Sequence, residues 1–241
     1  MADFYGFRQE EFTFAGRKAI LVFPKEENKT GKWLLKTEYF GAFPNAEVAF
    51  LERGYHLAYL ENRNRWGLDE DQHDKAEFAK YLRATYGLSE TCVPVGMSCG
   101  GLHGVDLAAL HPEMVSVLYL DAPVINLLSC AGCLGKSVIG ETVKQEMLDA
   151  LGLTMAEMIA YRKHPLDRIP KLIERRIPVV LVYGDADATV PYDENGAYLE
   201  AAYKAAGVPL LVIGKPGCDH HPHGLEDPTP IVEFVEKYAK A

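Results

Sequence analysis

One serine of this sequence lies between glycines in a pattern that exposes a side chain for chemistry. The stretch Val95-Gly96-Met97-Ser98-Cys99-Gly100-Gly101 contains Gly-x-Ser-x-Gly. A strand-like run at residues 91–95 precedes it, and a helix-like run at residues 102–110 follows. A turn that joins a strand to a helix so sharply pushes its central side chain outward, and larger residues in place of the glycines would clash. The pattern predicts that Ser98 is a nucleophile.

A serine hydroxyl needs a base within hydrogen-bond reach, and the base needs an orienting carboxylate. Three histidines, His220, His221 and His223, fall within four positions on a loop after the run at residues 209–213. His220 comes first after the Gly-Cys-Asp turn and is nearest the strand end, so it is predicted as the base. His221 is the alternative, and His223 is expected to cap the loop or pack at its rim.

A carboxylate in a suitable place follows the run at residues 178–183. The segment Gly184-Asp185-Ala186-Asp187-Ala188-Thr189-Val190-Pro191 leaves a strand and enters a Val-Pro turn. Asp187 lies three residues after Gly184 and three before Val190, which fits an orienting acid better than Asp185. The other interpretation is that both aspartates only form turns, which Asp and Gly favour.

Two residue clusters could instead bind a metal. The histidine loop has Asp219 and Glu226 nearby but no H-E-x-x-H helix or other spaced ligand set. Cys130 and Cys133 form a C-x-x-C without a second pair, so a loop of small apolar residues is the preferred interpretation. We expect no metal site and no organic cofactor.

The elements that must hold these residues alternate along the chain. Apolar runs, mostly continuous as in strands buried on both faces, span residues 17–23, 33–40, 55–60, 91–95, 115–120, 178–183 and 209–213. Helix-like segments span residues 46–53, 71–86, 102–110, 194–206 and 229–239. This alternation predicts an α/β fold with a mostly parallel sheet covered by helices on both faces. The first two runs have no helix between them, so an antiparallel start is expected.

Residues 123–177 interrupt this alternation within a single domain at residues 1–241. No good strand occurs there, while residues 141–147 and 155–164 look helical. We interpret the segment as a helical lid inserted over the sheet's carboxyl edge; one longer crossover is the alternative. Met155, Met158 and Tyr161 could form an apolar lid face or pack in the core, and His103 is expected to pack on its helix.

Composition narrows the partners. The net charge is −9, which disfavours nucleic acid and anionic membrane surfaces. No basic, apolar leader begins the sequence and no run approaches 18 apolar residues, so we expect a cytoplasmic protein without a membrane span. Five scattered cysteines do not suggest a disulfide framework. A homodimer is possible, and the sequence does not decide the oligomeric state.

Taken together, these segments resemble the α/β-hydrolase superfamily over nearly the whole chain. The pieces that carry the resemblance are residues 96–101, 184–191 and 220–225, while residues 36–43 and 61–67 are similar to a bacterial serine esterase-like branch. The resemblance implies an eight-stranded sheet, a Ser98–His220–Asp187 triad and a lid after Asp121-Ala122-Pro123.

The sequence departs from that family at one place. Many relatives carry His-Gly after the third strand to supply an oxyanion-hole amide, whereas Lys36-Thr37-Glu38-Tyr39 stands here. Backbone amides can still form the hole, so one donor is assigned to Cys99 and the other to Glu38 or Tyr39. The side chains of Glu38 and Trp66 could line the substrate site; the alternatives are a surface carboxylate for Glu38 and a loop aromatic that packs on the core for Trp66.

The function predicted is that of a carboxylesterase. It would cleave small or carbohydrate-linked acyl esters, a small-molecule substrate class, through an acyl-enzyme. The alternatives are an amidase or peptidase with the same triad and a non-catalytic ligand-binding protein of this fold. Labelling of the serine by a fluorophosphonate separates the last from the others.

Overall fold

A nine-stranded mixed sheet forms the centre of the molecule. The computed structural model describes residues 2–26, 29–129 and 134–239. The strands are β1 (Ala2–Phe4), β2 (Phe7–Phe14), β3 (Arg17–Val22), β4 (Trp33–Lys36), β5 (His56–Leu60), β6 (Val93–Met97), β7 (Leu118–Asp121), β8 (Val179–Gly184) and β9 (Leu210–Lys215). Their order across the sheet is β1-β2-β3-β5-β4-β6-β7-β8-β9.

The sheet is antiparallel from β1 to β5 and parallel from β5 to β9. The predicted antiparallel start is therefore confirmed, although β5 lies between β3 and β4. The described residues form nine strands, whereas the resemblance implied eight. The seven apolar runs correspond to β3–β9, and no run predicted β1, which has three residues, or β2, whose residues are mostly half-buried or exposed.

The described residues also form eight α-helices, six of which cover the two faces of the sheet. They are α1 (Asn45–Glu52), α2 (Asp69–Tyr86), α3 (Cys99–Leu110), α4 (Glu141–Leu151), α5 (Met155–Ala160), α6 (Pro165–Glu174), α7 (Gly196–Ala206) and α8 (Thr229–Tyr238). One apolar cluster packs α2, α3, α6 and α7 on one face, and a second packs α1 and α8 on the other. Two covered faces explain why the parallel strands are apolar throughout.

The segment predicted as a lid divides into two parts. Helices α4 and α5 contribute Met147, Leu148 and Met158 to a third apolar cluster, which includes Trp66 and Cys99. Helix α6, by contrast, packs on α3 and α7 and leads directly into β8, as a crossover helix of the sheet does. Met158 is fully buried in this cluster, whereas Met155 and Tyr161 are partly buried against it, so both interpretations of that face stay open.

In the three described stretches of the chain, no helix combines the length and the apolar character needed to cross a membrane.

Candidate active site

Ser98 lies on a strained turn between β6 and α3. Its φ of 53° and ψ of −122° fall in a region that residues with a β-carbon rarely adopt. The turn is possible because the neighbouring glycines leave no side chain to clash. A β-carbon at Gly96 would lie 2.5 Å from the carbonyl oxygen of Gly100, and one at Gly101 would lie 2.3 Å from the β-carbon of Pro123.

Asp187 follows β8 and is held by backbone donors. Its Oδ1 accepts hydrogen bonds from the N–H groups of Thr189 at 2.9 Å and Val190 at 2.8 Å. The side chain is 1% exposed, so its other oxygen is free to orient a buried partner. Asp185 instead accepts from the N–H of Gly217 in the next loop.

His220 joins the serine to the aspartate. Its Nδ1 lies 2.8 Å from Oδ2 of Asp187, and its Nε2 lies 3.0 Å from Oγ of Ser98. A carboxylate only accepts hydrogen bonds, so Nδ1 carries the proton and Nε2 offers its lone pair to the serine hydroxyl. The three residues thus form one continuous hydrogen-bonded chain.

The other two loop histidines lie beside His220. His221 is largely exposed and stacks on Phe43; partial desolvation, together with the neighbouring His220 and His223, lowers its pKa. His223 is buried, and its Nδ1 lies 2.7 Å from Oδ1 of Asp121. Neither replaces His220 next to Ser98.

Asp121, which sequence analysis does not single out as functional, hydrogen-bonds both to the turn at Ser98 and to the histidine loop after β9. Its carbonyl oxygen accepts from the N–H of Ser98 at 3.0 Å, and its Oδ2 accepts from the N–H of Gly224 at 2.7 Å. Its position at the end of β7 is a signal that the sequence offers, because the carboxyl ends of the parallel neighbours β6 and β7 lie at the same edge of the sheet.

The two segments expected to supply oxyanion-hole amides lie against each other. Cys99 begins α3, so its N–H has no partner within the helix. A β-carbon at Gly100 would lie 3.5 Å from the backbone nitrogen of Glu38, and Oγ1 of Thr37 donates to the carbonyl of Gly100 at 2.7 Å. Tyr39 has a φ of 55°, which turns the chain at this point.

Asn62, two residues after the end of β5, hydrogen-bonds to this turn through its side-chain amide. Its Nδ2 donates to the carbonyl of Thr37 at 2.7 Å and to Oε2 of Glu38 at 2.5 Å. Its Oδ1 accepts from Lys75, a fully buried amine whose pKa burial lowers to about 8. No local pattern in the sequence marks Asn62 or Lys75.

A cavity of about 390 Å³ opens beside Ser98. Most of its wall is apolar. It is lined by Tyr39, Ala42, Phe43, Arg65, Trp66, Met97, Ser98, Cys99, Val124, Ile139, Val143, Thr189, His220, His221 and His223. Trp66 is among these residues but is only 1% exposed, while the carboxylate of Glu38 turns to Asn62 and Glu38 is not among them.

Helix α4 contributes Val143 to the cavity wall and is joined to the segment after β5 through Glu146. Arg65 donates to both oxygens of this carboxylate, from Nε at 2.8 Å and from Nη2 at 2.5 Å. The indole N–H of Trp66 donates to Glu146 Oε1 at 3.0 Å, and hydrogen bonding to Arg65 keeps the pKa of Glu146 below its usual value.

The thiol beside the serine is buried and not activated. Burial raises the pKa of Cys99 to about 11, and burial also raises the pKa of Tyr39. A thiol that is protonated at neutral pH is a weak nucleophile, whereas Ser98 has His220 within hydrogen-bond reach. The C-x-x-C at Cys130 and Cys133 lies outside the described residues.

No protein-family model matches the sequence, and no curated protein is significantly similar to it. Solved structures are similar in fold. The acylaminoacyl peptidase of Pyrococcus horikoshii is 14% identical, with a TM-score of 0.72 over 97% of this chain and 42% of that chain. A dipeptidyl peptidase 4 of Porphyromonas gingivalis is 14% identical, with a TM-score of 0.71 over 96% of this chain and 35% of that chain.

A puromycin hydrolase is 20% identical, with a TM-score of 0.69 over 95% of this chain and 38% of that chain. This chain therefore has the α/β-hydrolase fold, as the sequence resemblance implied. It spans less than half the length of each of these three proteins.

Proposed function

We propose that this chain, built on the α/β-hydrolase fold, is a serine hydrolase that cleaves acyl bonds. The observation that carries the proposal is the hydrogen-bonded chain Ser98–His220–Asp187, with Ser98 in a strained turn at the mouth of an apolar cavity. Nucleophile, base and orienting acid in this arrangement perform acyl transfer on several unrelated folds.

In the proposed reaction, Ser98 Oγ attacks the substrate carbonyl while His220 Nε2 takes its proton. Asp187 keeps the proton on Nδ1 of His220 and stabilises the imidazolium that forms. The N–H of Cys99 and that of Glu38 or Tyr39 receive the oxyanion, and each such donor is typically worth about 3 kcal/mol. His220 then protonates the leaving group, and water repeats the cycle on the acyl-enzyme.

The substrate class proposed is an amide or peptide carrying an apolar acyl group. The similar structures include an acylaminoacyl peptidase, a dipeptidyl peptidase and a puromycin hydrolase, so the amidase or peptidase alternative has more support than the carboxylesterase. Carbohydrate-linked esters have no supporting observation. The wall formed by Phe43, Trp66 and Val143 favours apolar groups over charged ones.

The first test asks whether Ser98 reacts. A fluorophosphonate probe should label the wild-type chain, and Ser98→Ala should abolish both labelling and hydrolysis while the circular dichroism spectrum is kept. Ser116→Ala is the matched control, because Ser116 donates to Cys92 at the other end of the sheet. Labelling that persists in Ser98→Ala would refute the assignment of Ser98 as the nucleophile, whereas a wild-type chain that the probe does not label would favour the non-catalytic alternative.

The second test separates amide from ester chemistry. Nitroanilides and nitrophenyl esters of the same acyl group, such as acetyl-phenylalanyl and acetyl-alanyl, are compared by kcat/KM. Nitroanilide turnover that Ser98→Ala abolishes, with a preference for phenylalanyl, supports the amidase proposal. Turnover of the esters alone would return the assignment to a carboxylesterase.

A further inference from the structure

The three histidines of the loop after β9 converge at one point. The ring centroids are 4.8 Å apart for His220 and His221, 4.8 Å for His220 and His223, and 5.0 Å for His221 and His223. One nitrogen from each ring lies within 4.8 Å of the other two. Three imidazoles around a single tetrahedral ion hold their nitrogens roughly 3.4 Å apart, given metal–nitrogen bonds of about 2.0–2.1 Å.

Two of these rings already have the outer partner that histidine metal ligands use. Metal-binding histidines almost always donate their second N–H to a carboxylate, a carbonyl or water, which fixes the ring and raises its basicity. His220 has Asp187 at 2.8 Å from Nδ1, and His223 has Asp121 at 2.7 Å from Nδ1. In both rings the proton therefore resides on Nδ1, and Nε2 keeps its lone pair.

The local charge also suits a cation. The two carboxylates behind the rings are almost completely buried, and Asp219 accepts from the N–H of His220 on the same loop. These three carboxylates outnumber the Lys215 amine, which donates to the carbonyl oxygens of Pro222 and Gly224 in the same loop.

We propose that His220, His221 and His223 bind a divalent transition-metal ion such as Zn²⁺ and that this ion inhibits the enzyme. The two carboxylate-backed rings supply Nε2 ligands, and the exposed ring of His221 turns inward as the third. A water completes the tetrahedron. His220 Nε2 has one lone pair, so it cannot bind the ion and also accept the Ser98 proton.

Inhibition rests on the proposed function, but metal binding does not. Binding is therefore measured on the Ser98→Ala chain, with Co²⁺ as a coloured substitute for Zn²⁺. We expect one equivalent to give the intense visible bands of four-coordinate Co²⁺, and Zn²⁺ to displace it. If hydrolase activity were absent, this spectrum would still test the site.

Variants assign the ligands. Loss of an outer partner alone usually costs 10- to 100-fold in metal affinity, so His221→Ala should weaken Co²⁺ binding by at least roughly tenfold. His221 is exposed, so this variant should fold. His73→Ala is the control, because His73 lies on helix α2, outside the loop. Its Nδ1 is 2.8 Å from Nε2 of His111, which follows α3. In the wild type, Zn²⁺ should inhibit hydrolysis and a chelator should restore it.

Several results would overturn the proposal. They are the absence of four-coordinate bands, Co²⁺ binding unchanged in His221→Ala, or an equal loss of affinity in His73→Ala. Zn²⁺ binding at the loop without any inhibition of an active wild type would refute the competition for His220 Nε2.

Discussion

At the scale of single residues, the site depends on backbone turns that close contacts hold in place. The serine turn leaves no room for side chains at Gly96 or Gly101, because neighbouring backbone and Pro123 occupy that space. The facing turn at Thr37 and Glu38 is fixed by the side-chain amide of Asn62. The position of Ser98 and of the facing backbone amides therefore depends on neighbouring groups that hold these turns.

Gly101→Ala should remove activity and lower the free energy of unfolding. The added methyl would lie 2.3 Å from Pro123 Cβ, and overpacking of this kind typically costs about 1–3 kcal/mol. Urea denaturation and turnover measure the two effects. Gly140→Ala is the control, since nothing lies within 4 Å of its new methyl; equal behaviour of the two variants would contradict the steric argument.

Asn62→Asp should lower kcat while leaving KM nearly unchanged. The aspartate can still accept from Lys75, but it cannot donate to Thr37, and it places a second carboxylate beside Glu38. The turn proposed to supply an oxyanion amide then loses its support, and a loss of up to about 100-fold is expected. A change confined to KM would point to a role in substrate binding instead.

Ser98, Asp187 and His220 could be located from the sequence because each lies in a short local pattern. Glycines mark the serine, and the ends of apolar runs mark the other two. Asn62 lies in no such pattern, and its partner Thr37 is 25 positions away in the chain. Asp121 ends an apolar run, but its contact with Gly224, 103 positions away, becomes visible only once the strand order brings these segments together.

At the scale of elements, α4 combines a buried apolar face with a polar anchor. Met147 and Leu148 pack under the helix, Val143 faces the cavity, and Glu146 is bound by Arg65 and Trp66. The anchor joins α4 to the segment after β5, so the cavity wall is shared by two elements far apart in sequence.

Glu146→Ala should loosen α4 and reduce kcat/KM for apolar acyl substrates. The variant leaves the indole N–H of Trp66, a residue only 1% exposed, without its partner. Faster amide hydrogen exchange in residues 141–151 and a higher KM are the measurements. Glu141→Ala, at an exposed position of the same helix, should change neither.

Sequence periodicity predicted most elements but not their boundaries or roles. Helix α6 begins at Pro165, within the segment predicted as a lid, and its apolar face at Ile169 and Leu172 packs against α3 and α7. The tertiary fold decides which helices α6 packs against, and a local sequence pattern does not specify them.

At the scale of the whole molecule, one buried histidine should make stability depend on pH. His56 on β5 is fully buried, and burial lowers its pKa to about 4. The unfolded chain, with an ordinary histidine pKa near 6.5, then binds more protons between about pH 4 and pH 6.5. Stability is highest above this window and falls as the pH is lowered through it.

Replacement of that histidine should therefore remove part of the acid sensitivity. The wild type should lose on the order of 3 kcal/mol from this residue between about pH 6.5 and pH 4, and His56→Leu should not. Urea unfolding at several pH values measures the difference between the two proteins. Parallel stability curves for wild type and variant would contradict it.

The order of the site residues along the chain has a practical consequence. Ser98 precedes the exposed residues Leu134 and Val138, whereas Asp187 and His220 follow them. A cut between these exposed positions leaves β7 in one fragment and its parallel partner β8 in the other. Each fragment alone should be silent, and their reassembly should restore hydrolysis, so the pair could serve as a split reporter for proximity between two fused proteins.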